Sequence, residues 1–129
     1  MHPKILLIED KEYLRQSLLT MLIAEGYEVV DAEDGSIGVD MVFTESPDLV
    51  ICDLKMPRLN GDQVLDILRH EPQTQTLPFI CISSDERFLA PISVQSLDDD
   101  SFLQKPFSRL DLLVAIEQQL SQKLAADRN

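Results

Sequence analysis

The chain has 129 residues, a length typical of one globular domain, and no stretch rich in glycine, serine or proline divides it. Acidic residues outnumber basic ones by 23 to 11, and the net charge of -12 disfavours direct contact with nucleic acid or an anionic membrane surface. No apolar stretch approaches the roughly 18 residues of a membrane span, and the amino terminus lacks a signal-peptide pattern, so we expect a cytoplasmic protein.

Apolar runs and helical patterns alternate along the chain. The first half contains, in order, a predicted strand at residues 5–8, a helix at 12–25 that ends before Gly26, a strand at 28–32 and a helix at 36–45. The second half contains a strand at 49–52, a helix at 63–69, strands at 79–82 and 101–103, and a helix from 109 to about 123. We expect residues 1–123 to form one domain and residues 124–129 to be a tail or linker stub.

This alternation predicts a doubly wound α/β fold, in which helices cover both faces of a five-stranded parallel sheet. Cys52 and Cys81 fall inside apolar strands, where we expect buried free thiols. Sheets of this type bind ligands beyond the carboxyl ends of their strands. The sequence puts polar or charged residues at or after those ends: Glu9, Asp10, Asp53, Ser83 and Lys105.

The acids in this set suggest a metal site. Glu9, Asp10 and Asp53 would repel one another at the strand ends, and their pKa values would rise unless a cation neutralised them. Oxygen donors without cysteine or paired histidine favour Mg²⁺ or Mn²⁺ over Zn²⁺. Since Mg²⁺ keeps waters that a phosphate can displace, and a carboxylate can act as a nucleophile, the site is suited to accepting a phosphoryl group.

These residues resemble the response-regulator receiver family in order, spacing and type, over residues 4 to about 120. The shared pattern has five parts: Glu9-Asp10 after the first strand, Asp53 after the third, Met56-Pro57 with Gly61, Ser83 after the fourth, and Lys105-Pro106-Phe107 after the fifth. The resemblance implies a flavodoxin-like sheet with strand order 2-1-3-4-5.

The resemblance also implies a chemistry for the acidic residues. Asp53 would accept a phosphoryl group from a histidine kinase or a histidine phosphotransfer protein. Asp10, Asp53 and the backbone carbonyl of Lys55 would bind Mg²⁺ (or Mn²⁺) directly, and Glu9 would hold it mainly through water. Such a domain is a signalling module rather than an enzyme, and it catalyses at most its own phosphorylation and dephosphorylation.

A switch is implied as well. Ser83 and Lys105 would contact the phosphoryl oxygens, and the peptide bond between Lys105 and Pro106 would be cis. Phe102 occupies the aromatic switch position of the family, and it would fill the space that the Ser83 hydroxyl leaves. The face formed by helix four, strand five and helix five would then change shape for a downstream protein target or effector domain.

The sequence departs from the family on that face. Pro91 stands where the middle of helix four is expected, which predicts a short, shifted or mobile helix, or a reduced helix that starts at Pro91. Asp98 and Asp99 replace a common Gly-Ala, so the turn has a different backbone or strains Asp98. Near the site, a pairing of Lys55 with Asp85 could exclude the hydrolytic water and prolong the life of the phosphoryl-aspartate.

Three other readings compete with this one. A phosphorylation-independent, receiver-like adaptor would act through the altered face alone. A phosphatase of the haloacid-dehalogenase type needs a second aspartate where Lys55 stands. A flavodoxin-like electron carrier needs a hydroxyl- and glycine-rich loop where residues 9–12 are charged. The kinase, the target and the length of the whole protein stay open.

Overall fold

The computed structural model describes residues 2–127. Its strands are β1 (Lys4–Ile8), β2 (Glu28–Ala32), β3 (Leu49–Asp53), β4 (Phe79–Ser83) and β5 (Phe102–Gln104). Its helices are α1 (Glu12–Ala24), α2 (Gly35–Glu45), α3 (Gly61–Arg69), α4 (Ile92–Gln95) and α5 (Arg109–Asp127), with 3₁₀ turns at Arg87–Leu89 and Asp99–Ser101. No helix in this described part is long and apolar enough to cross a lipid bilayer.

The five strands form one parallel sheet with the order β2-β1-β3-β4-β5, which confirms the predicted fold. Helices α1 and α5 pack on one face, and α2, α3 and α4 pack on the other. Because β3 and β4 have strands on both sides and helices on both faces, every residue of both is buried. The neighbours Cys52 and Cys81 are buried free thiols as predicted, and burial raises the pKa of Cys81 to about 12.

Local capping explains where two helices begin. The side chain of Asp34 accepts a hydrogen bond from the Ile37 amide at 2.8 Å, so α2 starts at Gly35, one residue earlier than predicted. The amide of Asn60 donates to Gln63 Oε1 at 2.9 Å, so α3 starts two residues early. Helix α5 continues to residue 127, four residues past its predicted end, and residues 128 and 129 of the predicted tail lie outside the described residues.

The departures on the α4 side have structural consequences. Helix α4 is four residues long and begins directly after Pro91, which confirms the prediction of a short helix. Asp98 has an ordinary extended backbone with φ -60°, and a 3₁₀ turn over Asp99–Ser101 leads into β5. The turn therefore differs in backbone rather than forcing Asp98 into the left-handed region.

Candidate functional site

Three carboxylates meet at the carboxyl ends of β1 and β3, which are neighbours in the sheet. Glu9 and Asp10 follow β1, and Asp53 is the last residue of β3. One oxygen from each of the three carboxylates lies within 4.8 Å of the others. Glu9 is 1% exposed and Asp53 is 4% exposed, so the structure brings the predicted acids together largely out of water.

Burial of Glu9 changes its electrostatics. Burial of the Glu9 carboxyl is the main cause that raises its pKa from 4.5 to about 7. The Lys11 amide donates to Glu9 Oε2 at 3.0 Å and lowers this pKa, whereas the negative charge of Asp53 raises it. Within residues 2–127, Glu9 Oε1 and Asp10 Oδ1 are buried without a hydrogen-bond partner. Two orphan carboxylate oxygens beside a third carboxylate match the oxygen donors that Mg²⁺ prefers.

Lys105 brings a positive charge to this cluster. Its Nζ lies 3.4 Å from Asp53 Oδ1 and 3.7 Å from Glu9 Oε1. The backbone amide of Lys105 donates to the Ser83 carbonyl at 2.7 Å, and the peptide bond to Pro106 is cis, as the sequence predicts. The ammonium therefore neutralises part of the carboxylate charge.

Ser83 and Phe102 lie on the two neighbouring strands β4 and β5. Ser83 is 1% exposed, and its hydroxyl accepts a hydrogen bond from the Asp85 amide at 3.0 Å. Phe102 packs in the core on the α4 side, where the Arg87 guanidinium lies 5.9 Å from its ring centroid. Nothing in the sequence pattern indicates this contact of Arg87, because it depends on the conformation of the 3₁₀ turn.

An ion pair joins the loops that follow β3 and β4. Lys55 Nζ lies 2.7 Å from Asp85 Oδ2, which confirms the predicted pairing of these side chains. Lys55 is largely exposed, so the pair lies at the surface. The ion pair thus connects the two loops that flank the candidate site. The amide of Asp85 also donates to the Ser83 hydroxyl.

A protein-family model described as the response regulator receiver domain matches residues 5–117. The chain belongs to the response regulator receiver domain family. Receiver domains are signalling domains of two-component systems and are generally not enzymes.

Individual relatives agree with the assignment to receiver domains. The chain is similar to Protein PilG of Pseudomonas aeruginosa, with 29% identity over 88% of this chain and 84% of PilG. It is 30% identical to the sensor histidine kinase TmoS of Ectopseudomonas mendocina, over 97% of this chain but 13% of TmoS. A crystal structure of a putative response regulator from Chloroflexus aurantiacus has a TM-score of 0.86 at 26% identity, covering 94% of this chain and 99% of that one. The chain thus spans most of PilG and a small part of TmoS.

The structure also shows contacts of this receiver domain that sequence reasoning missed. The Arg15 side chain donates to the Glu9 carbonyl at 2.9 Å and to Asp31 Oδ2 at 3.1 Å, and so fixes the backbone before Asp10. Gly61 packs so closely on the end of β3 that a Cβ there would lie 2.5 Å from the Asp53 carbonyl oxygen. The sequence marks Gly61 as part of the family pattern but gives no signal for Arg15.

Proposed function

We propose that this receiver domain accepts a phosphoryl group on the Asp53 carboxylate from a phosphohistidine of a histidine kinase or histidine phosphotransfer protein. The observation that carries the proposal is the surroundings of Asp53, a buried carboxylate grouped with Glu9 and Asp10 and 3.4 Å from Lys105 Nζ. A carboxylate oxygen of Asp53 attacks phosphorus, the phosphorus–nitrogen bond breaks, and the electron pair returns to the imidazole. The step moves no proton, because the attacking group is a carboxylate oxygen.

The acidic cluster fits a divalent cation. Asp10, Asp53 and the Lys55 backbone carbonyl would hold Mg²⁺ or Mn²⁺, with Glu9 mainly through water, and the orphan oxygens of Glu9 and Asp10 support this assignment. When bound, the cation offsets the charge of the carboxylates and of the incoming phosphoryl oxygens. The protein side chains hold these donors in place before the phosphoryl group arrives.

Lys105 and Ser83 have supporting roles in the proposal. Lys105 Nζ, already near Asp53, neutralises charge on the phosphoryl oxygens as the new bond forms. The Ser83 hydroxyl, which now accepts from the Asp85 amide, can donate its own proton to a phosphoryl oxygen. Both groups act by position and charge, which is what phosphoryl transfer requires of a protein.

Switching follows from the same contacts. A phosphoryl group that binds the Ser83 hydroxyl favours one arrangement of β4 and β5, and Phe102 is the bulky residue able to refill the vacated space. The readout is the face formed by α4, β5 and α5, which would bind a downstream protein target or effector domain. The net charge of -12 argues against nucleic acid as the direct partner.

The test is intact mass spectrometry after incubation with Mg²⁺ and acetyl phosphate. We expect a gain of one phosphoryl group in the native chain and none in Asp53→Asn. Asp40→Asn, an exposed acid on α2, is the matched control and should gain the group normally. EDTA should abolish the gain. Absence of any gain in the native chain would favour the phosphorylation-independent adaptor.

A further inference from the structure

Arg58, in the loop between β3 and α3, has a backbone that arginine adopts reluctantly. Its φ is 67°, and it is one of two non-glycine residues with positive φ among residues 2–127, the other being Ser46. Glycine would adopt this conformation freely, since it has no Cβ to clash with the backbone. An arginine held in this region therefore suggests that the side chain makes a contact that compensates for the backbone strain.

That contact is an ion pair with Asp34, at the end of the loop before α2. The Asp34 carboxylate is 2% exposed, and it accepts hydrogen bonds from the Ile37 amide at 2.8 Å and from Arg58 Nη1. The Ile37 amide and the Arg58 guanidinium hold the pKa of Asp34 below its usual range. A buried carboxylate needs such partners, because an unpaired buried charge is costly.

Close backbone packing strengthens the link between these loops. A Cβ on Gly35, the first residue of α2, would lie 2.3 Å from the Leu59 carbonyl oxygen, so the loop rests directly on the start of this helix. At the other end of the loop, the Gly61 amide donates to the Leu54 carbonyl at 2.7 Å. The loop of residues 54–60 is thus held at two places: next to Asp53 by the Gly61–Leu54 hydrogen bond, and at the start of α2 by the packing of Leu59 on Gly35.

We propose that Arg58 is a positioning residue, whose ion pair with Asp34 holds the loop of residues 54–60 in the conformation that the metal-dependent chemistry of Asp53 requires. The inference rests on the proposed function, because this loop carries the Lys55 carbonyl assigned to the cation. Within residues 2–127, Arg58 forms its ion pair with Asp34 and none with Glu9, Asp10 or Asp53. It acts through the loop backbone, by holding the loop against the start of α2.

The sign of the effect on metal affinity separates positioning from a simple field effect. Arg58→Gly removes a positive charge near an acidic site, so through the field alone it would strengthen Mg²⁺ binding. A positioning role predicts the opposite, a weakening of about tenfold, as is typical when partners that orient ligands are lost. Because glycine also relieves the backbone strain, this variant should fold well enough for the comparison.

The experiment measures Mg²⁺ affinity by isothermal titration calorimetry and amide hydrogen exchange of the loop without metal. We expect Arg58→Gly and Asp34→Asn, which keeps a capping oxygen, each to weaken Mg²⁺ binding and to speed exchange of the Gly61 amide. The double variant should show little further loss, because both changes break one contact. Ser46→Gly, which relieves the other positive φ at the opposite end of α2 from Asp34, is the matched control and should leave Mg²⁺ affinity unchanged.

The outcomes distinguish this inference from the proposed function. Unchanged or stronger Mg²⁺ binding in Arg58→Gly, with normal phosphoryl uptake in the native chain, overturns the positioning role and leaves the proposed function standing. Weaker binding that Ser46→Gly reproduces would also overturn it, since the effect would then come from glycine itself. A native chain that binds no Mg²⁺ and takes up no phosphoryl group overturns both.

Discussion

Lys55 Nζ and Asp85 Oδ2, 2.7 Å apart, form an ion pair between the loop after β3 and the loop after β4. Each residue stands two positions beyond a residue of the proposed site, Lys55 after Asp53 and Asp85 after Ser83. If Asp53 carries a phosphoryl group as proposed, we infer that a hydrolytic water would approach it between these loops. The pair is therefore in a position to limit access of water to the phosphoryl-aspartate.

We expect Lys55→Asn to shorten the lifetime of the phosphorylated state severalfold, because the pair that obstructs water is lost. The measurement is the decay of the phosphorylated mass after removal of acetyl phosphate. Asp85→Asn should act similarly. Lys123→Asn, which breaks an ion pair with Asp48 elsewhere on the surface, should not alter the decay. An unaltered rate in Lys55→Asn would rule out the shielding role.

Lys105→Met should strengthen Mg²⁺ binding but lower both the stability of the metal-free chain and the rate of phosphoryl uptake. Loss of the ammonium near Asp53 and Glu9 leaves their repulsion uncompensated, so the metal-free chain should lose about 2 kcal/mol of unfolding free energy. The same loss of positive charge should strengthen Mg²⁺ binding while phosphoryl uptake slows. Denaturant unfolding, calorimetry and the mass assay measure the three effects. Weaker Mg²⁺ binding in this variant would show that Lys105 helps to organise the acids rather than only opposing the cation.

Much of this architecture could be predicted from the sequence because its signals are local. The continuous apolar runs identify the strands buried on both faces, and parallel strands bring their carboxyl ends to one edge. Glu9, Asp10 and Asp53 are therefore expected to meet, although they are distant in sequence. Helix α5 continues past its predicted end because Leu124 and the two alanines after it are good helix formers without a stop signal, which the apolar face of the helix does not indicate.

The contacts that could not be predicted depend on loop conformation. Arg58 contacts Asp34 because the Arg58 backbone adopts the left-handed conformation. Glycine or asparagine in a sequence indicates this conformation, but arginine does not. Arg87 reaches the Phe102 ring because a 3₁₀ turn replaces the first part of an expected longer helix. Both arginines are exposed or half-exposed, and hydrophobic periodicity in the sequence does not indicate the contacts of such side chains.

Stability of the metal-free chain should fall as pH rises from about 4.5 to about 7. Burial raises the folded-state pKa of Glu9 to about 7, whereas the unfolded value is 4.5, so in this window the folded chain keeps a proton that the unfolded chain has released. The contribution is lost progressively with rising pH and amounts to at most about 3 kcal/mol. Above the folded pKa, both states are ionised and this slope ends.

Denaturant unfolding across this pH range in EDTA checks the effect. Glu9→Gln should flatten the profile, and Glu12→Gln, an exposed acid at the start of α1, should leave it unchanged. Mg²⁺ affinity of the native chain should rise over the same window, because the cation competes with the Glu9 proton. A profile with the same slope in native and Glu9→Gln chains would place the raised pKa elsewhere.

Gly61→Ala should disturb the carboxyl end of β3, which carries Asp53, more than the rest of the fold. The added methyl would lie 2.5 Å from the Asp53 carbonyl oxygen and 2.9 Å from Leu54 Cα, so the backbone has to move, at a cost of about 1–3 kcal/mol. We expect weaker Mg²⁺ binding and slower phosphoryl uptake. Gly26→Ala is the matched control: it meets no atom within 4 Å but has φ 95°, so it should cost about 1 kcal/mol and leave Mg²⁺ affinity intact. Equal Mg²⁺ affinities for the two variants would mean that the close packing at Gly61 serves the fold and not the site.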